Sequence, residues 1–333
     1  MKKIILPEYN TNVIKALLSL KIIDTEIPEP KNNEVLIKVH AAPVNPSDIA
    51  FMSGTYNIVK ELPAVPGFEG SGIVTEVGRG AEDLLGKKVC FFTQEKEDGS
   101  WSEMVCTNRD NIVVLDERMD MDQAACFAIN PFTARGLMDI ALLHKQKCVI
   151  QNAAGGQVAA FIRMIAKDKG IEVINIVRKK ETVEKLKSDG AKYVLCEKSP
   201  DFNKELKELA GKLNSHLAFD AVAGKATGYL MNAMPKGSEV VVYGGLSNKP
   251  VSGVDPLGLI FYNKLISGFN LPEWHENVDP DYFDEASKDL QDKFVTGAYS
   301  TTINGSFRFS QIRQALRKYL KDMSAGKVLI KPD

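Results

Sequence analysis

The sequence predicts a two-domain α/β protein, one domain β-rich and barrel-like, the other a doubly wound parallel sheet. Three observations carry this. Up to about residue 120, short alternating apolar stretches are broken by Pro43, Pro46, Pro63 and Pro66, the punctuation of strands joined by loops. After that point apolar runs of strand length alternate with amphipathic helical stretches, the pattern of a parallel sheet covered on both faces. And 333 residues, 44% hydrophobic and 26% charged, suffice for two packed cores without a disulfide or metal staple.

Taken in order, residues 34–40 set Val35, Ile37 and Val39 against more mixed neighbours, as a half-buried strand does. Residues 71–77 and 88–92 read as further short strands closed by glycines. A strand over 146–151 runs into a helix over 157–167, where Val158, Phe161, Ile162 and Ile165 form a stripe at i, i+3, i+4 and i+7. A second strand follows over 171–177. Segments 181–188, 192–195, 202–213, 216–220 and 239–243 continue the alternation of helix and strand. From about residue 265 the chain is expected to leave this domain, ending in an amphipathic helix over 310–323 and a strand over 327–330.

The formal net charge of -1 argues against a nucleic-acid partner, which needs a basic excess. The apolar run Ile4-Ile5-Leu6 before Pro7 is too short for a signal peptide, and no window reaches the ~18 apolar residues of a membrane span. The expected location is cytoplasmic. Cys90, Cys106, Cys126, Cys148 and Cys196 are dispersed without a CxxC pair, which suits reduced core thiols.

The most informative local pattern follows the strand that ends at Gln151. Asn152-Ala153-Ala154-Gly155-Gly156-Gln157-Val158-Ala159 opens the helix over 157–167. Small residues there let backbone N–H groups and a helix N-terminus approach a pyrophosphate, so Ala154, Gly155, Gly156, Gln157 and Val158 are candidate dinucleotide contacts in a Rossmann-type βαβ unit. The strict GxGxxG is absent; position between strand and helix gives the motif its weight. The next strand ends at Arg178-Lys179-Lys180, with no acidic residue before Glu181. Cations there fit a ribose 2′-phosphate where a carboxylate would fit a 2′-hydroxyl, so the expected cofactor is NADPH and the candidate contacts are Arg178 and Lys179. The alternative is a solvated basic turn.

With several other segments, these residues resemble the medium-chain dehydrogenase/reductase superfamily, most of all its zinc-free quinone oxidoreductase and 2-enoyl thioester reductase branches. Ala42-Pro43-Val44-Asn45-Pro46-Ser47-Asp48 is similar to the family's first substrate loop, and Pro66-Gly67-Phe68-Glu69-Gly70-Ser71-Gly72 to its second signature. Asn130-Pro131-Phe132-Thr133-Ala134 resembles the segment that enters the cofactor cleft. Phe219-Asp220-Ala221-Val222-Ala223-Gly224 and Tyr243-Gly244-Gly245 resemble later strand ends of the nucleotide domain, and Gly326-Lys327-Val328-Leu329-Ile330-Lys331-Pro332 the family's terminus. The resemblance implies a GroES-like catalytic domain over 1–120 plus 265–333, with the Rossmann NADPH-binding domain inserted over 121–264. It further implies cofactor in the cleft between the two, contacts from Thr133, Tyr243, Gly244 and Gly245, and a homodimer.

The chain departs from zinc-dependent members. They carry Gly-His-Glu where this chain has Gly67-Phe68-Glu69, and a cysteine near Asn45; phenylalanine cannot ligate zinc and asparagine is a poor ligand. His40, His144, His216 and His275 form no ligand pair in sequence. Without a metal, hydride addition favours a conjugated C=C, whose enolate is resonance-stabilised and needs one proton. Tyr56 matches the tyrosine that enoyl thioester reductases of the family offer as proton donor, and Asn45 is the second catalytic candidate, through its amide. The alternatives are an aromatic that only lines the pocket and an asparagine that only stabilises its loop before Pro46. The expected activity is NADPH-dependent reduction of an enoyl thioester or enone. NADPH:quinone reduction and a non-catalytic NADPH-binding protein are the alternatives. Phe261, Tyr262, Phe269 and Trp274 are candidate pocket lining, and Arg313, Arg317 and Lys321 share a helix face more in keeping with solvent than with a phosphate.

Overall fold

The computed structural model describes residues 1–93 and 98–333, which divide into two units, 1–130 with 284–333, and 131–283. The first unit opens with β1 (Lys2–Ile5), α1 (Val13–Ser19) and β2 (Lys21–Asp24), β1 and β2 forming an antiparallel pair. It continues through β3 (Glu34–Pro43), α2 (Pro46–Met52), β4 (Glu69–Val77), β5 (Lys88–Phe92), β6 (Met104–Asn108), β7 (Ile112–Val114) and α3 (Met121–Ala124). Strand β3 is the hub of a seven-stranded sheet, pairing antiparallel with both β4 and β6. Pro46 at the first position of α2 supplies a preset φ, and the Asp48 side chain at the third position accepts the Asn45 N–H at 2.6 Å, closing the start of the helix.

The second unit takes in α4 (Asn130–Leu143) from Pro131, then β8 (Cys148–Gln151), α5 (Gln157–Asp168), β9 (Glu172–Val177), α6 (Lys180–Ser188), β10 (Tyr193–Cys196) and α7 (Phe202–Lys212). It goes on through β11 (Leu217–Asp220), α8 (Lys225–Ala233), β12 (Glu239–Val242), α9 (Pro256–Tyr262), β13 (Leu265–Gly268) and α10 (Leu271–Asn277). Its six strands are all parallel, in the order β10-β9-β8-β11-β12-β13. The order reverses between β8 and β11, the switch point at which such sheets bind ligands beyond their carboxyl ends. Val149, Ile150, Val173, Ile174 and Ile176 are buried, as strands covered on both faces require. In α5 the apolar stripe buries Phe161, Ile162 and Ile165.

The second unit extends further than the sequence pattern suggests. Strand β13, beginning at Leu265, pairs with β12 and completes the parallel sheet, so the chain stays in this unit until Phe283, within α11 (Pro280–Val295). A four-residue strand that is half exposed has too little apolar signal to be told from loop. Back in the first unit, β14 (Ile303–Arg308), α12 (Ile312–Lys321) and β15 (Lys327–Lys331) follow, and β15 joins β3.

The first unit's main apolar cluster gathers Leu17 of α1, Phe51 of α2, Phe68, Trp101, Phe309 and Leu316 of α12. Ile150, Ile174, Leu206, Leu230 and Val240 anchor the core around the parallel sheet. No helix among the described residues is long and apolar enough to cross a membrane.

Candidate active site

In the second unit, the backbone after β8 is shaped for close approach. Ala153 has φ 45°, a left-handed conformation that costs a residue with a Cβ about 1–2 kcal/mol. Gly156 then serves as N-cap of α5 and brings no side chain to cap it, the form of helix start that meets an anion with its backbone. Ala154 is buried beneath this turn, its carbonyl accepting from Arg163 Nη1 at 2.6 Å, while Gly155 is half-buried. Burial depresses the Arg163 guanidinium to about 10.

The turn is tied to its neighbour across the switch point. Asn152 Nδ2 donates to Asp220 Oδ1 at 2.6 Å, and Asn152 Oδ1 accepts the Ala221 N–H at 2.8 Å. Asp220, at the end of β11, also accepts from the N–H groups of Val222 (2.8 Å) and Ala223 (2.9 Å) and from Thr227 Oγ1 (2.6 Å). At the end of β12, Tyr243 N donates to the Asp220 carbonyl at 2.9 Å. Gly244 lies so close that a Cβ would stand 2.8 Å from the Ala221 carbonyl oxygen, while Gly245 is exposed. Ala154 to Val158 and Tyr243 to Gly245 are thus brought to the carboxyl ends of β8 and β12, on either side of β11. Arg178 and Lys179 are exposed at the carboxyl end of β9, next to β8, and Lys179 is the N-cap of α6. Thr133 is buried in the first turn of α4.

In the first unit, Asn45 precedes α2 and is buried, together with Glu69 at the start of β4 and Lys327 at the start of β15. Its amide faces inward: Nδ2 donates to Glu69 Oε1 at 2.8 Å, and Oδ1 accepts from Lys327 Nζ, which also lies 3.3 Å from Glu69 Oε1. Glu69 Oε2 accepts the Ile129 N–H at 3.2 Å. Gly67, with φ 96° and a Cβ position that Ser100 Oγ would block, sets the turn that delivers Phe68 and Glu69. Tyr56 is half-buried, its ring tilted at 43° and 5.3 Å from that of Phe68. Burial, reinforced by the nearby Asp48 carboxyl, pushes its phenol above the ordinary value, so it holds its proton at neutral pH. A half-buried, protonated phenol on an aromatic bed can act as a general acid.

Other residues singled out by sequence lie elsewhere. Phe261 and Tyr262 are exposed on α9. Phe269 and Trp274 pack against Gly136 of α4, where a Cβ would fall 2.6 Å from the Phe269 ring. Arg313 donates to the carbonyls of Leu18 (3.1 Å) and Leu20 (3.3 Å) at the end of α1. His40 pairs with Asp122 at 2.8 Å and His144 with Glu239 at 3.6 Å, His216 bonds Asn214 at 3.0 Å, and His275 meets Phe283 edge-on, ring centroids 4.3 Å apart. Sequence reasoning gave no role to Asn152, Arg163, Lys327 or Asp48. Asn152, Asp48 and Lys327 lay inside quoted motifs and could have been found there; Arg163 carries no local signal.

Comparison with known proteins identifies the family and the fold. Residues 31–117 match the model of the alcohol dehydrogenase GroES-like domain, and residues 158–291 the model described as zinc-binding dehydrogenase. Human mitochondrial enoyl-[acyl-carrier-protein] reductase is 30% identical over 321 residues, 93% of this chain and 84% of that one. The chain belongs to the medium-chain dehydrogenase/reductase superfamily. The Xenopus tropicalis enzyme of the same name is 34% identical over 262 residues, 77% and 74% of the two chains. A Mesorhizobium loti structure described as a candidate NADPH:quinone reductase superposes with a TM-score of 0.92 at 31% identity, covering 100% of this chain and 98% of that one. Within the superfamily the first unit is the GroES-like domain and the second the Rossmann-type domain. Membership makes the protein an oxidoreductase, with a nicotinamide cofactor implied.

Proposed function

We propose that the protein is an NADPH-dependent reductase that adds hydride to the conjugated C=C of an enoyl thioester or enone without a metal. The observation that carries this reading is Tyr56, a half-buried phenol kept protonated beside Phe68, where zinc-dependent members of the superfamily place a ligand. Asn45, at the other such position, has its amide oxygen on Lys327 and its nitrogen on Glu69, an arrangement suited to holding α2 in place. The uncapped start of α5 and the glycines at the end of β12 fit a pyrophosphate, and the exposed Arg178 and Lys179 fit a 2′-phosphate through charge-assisted bonds. NADPH, held by these residues, would supply the hydride for the substrate β-carbon. Tyr56 Oη, its ring held against Phe68, would then yield its proton to the α-carbon.

Quinone reduction is the second reading, favoured by the NADPH:quinone description of the Mesorhizobium loti neighbour. The two separate on Tyr56→Phe. Losing a positioned general acid lowers turnover of crotonyl-CoA by ~10²–10⁴-fold, whereas a quinone, protonated at oxygen by water, loses little. Equal losses on both substrates, or none on either, reject the proton-donor role. Turnover unchanged by a chelator supports the metal-free reading, and its loss overturns it.

A homodimer belongs to the same proposal. β13 is an edge strand, and α9 leading into it exposes Leu257, Ile260, Phe261 and Tyr262, whereas the opposite edge at β10 is flanked by Lys180, Glu184, Lys187, Glu205, Glu208 and Lys212. The free thiols fit a reducing compartment such as the cytoplasm.

A further inference from the structure

Asp48 is a buried acid that the reduction described above does not use. It lies at the third position of α2, fully enclosed. Its Oδ2 accepts the Asn45 backbone N–H at 2.6 Å, while Oδ1 has no hydrogen-bond partner among the described residues. The groups facing it are Lys327 on β15, Glu69 on β4, Lys60 and Tyr56 in the loop after α2, and Tyr319 on α12. Lys327 is engaged with Glu69 and the Asn45 amide. The Lys60 ammonium sits over the rings of Phe51 and Phe68, 5.8 and 5.7 Å from their centroids. An ionised Asp48 therefore adds a charge supported by a single hydrogen bond, and burial favours the neutral acid against the pull of Lys327 and Lys60. Burial raises this carboxyl to about 7.

We propose that Asp48 is a positioning residue for the reduction: enclosed and with one oxygen unpartnered among the described residues, it rests as the neutral acid, and its ionisation slows proton delivery from Tyr56. The proposal rests on Tyr56 as proton donor. Donation breaks the Tyr56 Oη–H bond, forms a C–H bond at the substrate α-carbon and leaves a phenolate that recovers its proton from solvent. A carboxylate at Asp48 opposes that phenolate, since its charge acts on Tyr56 in the direction that holds the phenolic proton. Asp48 itself exchanges a proton only with solvent and turns no substrate over.

The test follows kcat and KM for crotonyl-CoA with NADPH across pH, in the wild type and in Asp48→Asn, which mimics the neutral acid. It is joined by isotope-edited infrared spectroscopy of the carboxyl C=O band in the cofactor-free wild type. The wild-type kcat is expected to fall about tenfold between about pH 6 and pH 8.5, against less than about twofold in Asp48→Asn, with KM unmoved. The infrared band assigned to Asp48 should be present at the lower pH and lost at the higher. A band that does not titrate, or an alkaline limb that survives in Asp48→Asn, overturns the proposal even where the enoyl substrate is reduced. Absence of crotonyl-CoA turnover instead overturns the functional reading, and the coupling to Tyr56 falls with it.

Discussion

Asp220 and Asp48 are both fully buried, and each lies in a segment that resembles a superfamily motif. Their surroundings differ completely. Asp220 accepts four hydrogen bonds, from Asn152, Val222, Ala223 and Thr227, and binds the turns after β8 and β11 into one rigid edge. Among the described residues, Asp48 accepts one and carries an oxygen without a partner. A buried carboxylate stabilises a fold when donors replace its lost hydration, and costs stability when they do not. The Rossmann-type domain uses its acid as a clasp, whereas the GroES-like domain holds one whose charge it does not accommodate.

The comparison is broken most severely by Asp220→Ala. At least two donors lose their acceptor at roughly 1–3 kcal/mol each, so unfolding in denaturant should show a loss of about 3–5 kcal/mol. NADPH binding should weaken in parallel, because the turn after β8 loses its tie. A stability change below about 1 kcal/mol would show that the four bonds are not a clasp.

Asp48→Asn should do the reverse. The folded-state pKa of Asp48 is raised from 3.8 to about 7, so the unfolded chain ionises it first as pH rises. Native stability is therefore unaffected below about pH 4, is lost progressively between about 4 and 7, and stays reduced above. The variant escapes this loss: its Tm should exceed the wild type's at pH 8 by the equivalent of a few kcal/mol and match it near pH 4. A variant less stable than wild type at pH 8 would mean that Asp48 is ionised and supported after all.

Arg178→Ala sharpens the contrast from outside both clusters. Arg178 is exposed, so stability should change by less than about 0.5 kcal/mol. NADPH affinity should fall about tenfold, as expected for one charge-assisted phosphate contact, with NADH affinity unmoved. Isothermal titration with both cofactors checks this, and equal losses would place Arg178 away from the 2′-phosphate.

The legible part of the site is the part written locally. The turn after β8 could be read because strand, small residues and amphipathic helix follow one another without a gap, and Arg178 and Lys179 because they end the next strand of the same unit. Asn45 was singled out by motif, but its direction was not readable: its partners Glu69 and Lys327 lie 24 and 282 residues away. The segments 157–167 and 88–92 appear within one residue at either end as α5 and β5, since the first carries a full apolar stripe and the second is a short apolar run bounded by turn residues. β13 and α1 were not anticipated, being four and seven residues long, with signals too short to stand out from loop.

By itself the sequence determined the alternating βα rhythm, the small-residue turn after β8 and the basic end of the second strand, because backbone periodicity and turn chemistry depend on neighbours a few residues apart. The tertiary structure alone decided which buried acid is satisfied. Whether a carboxyl is a clasp or an uncompensated group depends on donors contributed by distant segments, and on how much water the packing excludes. Asp220 finds donors across the switch point of its sheet. Asp48 does not, because the one lysine that β15 brings to the cluster is committed to Glu69 and Asn45.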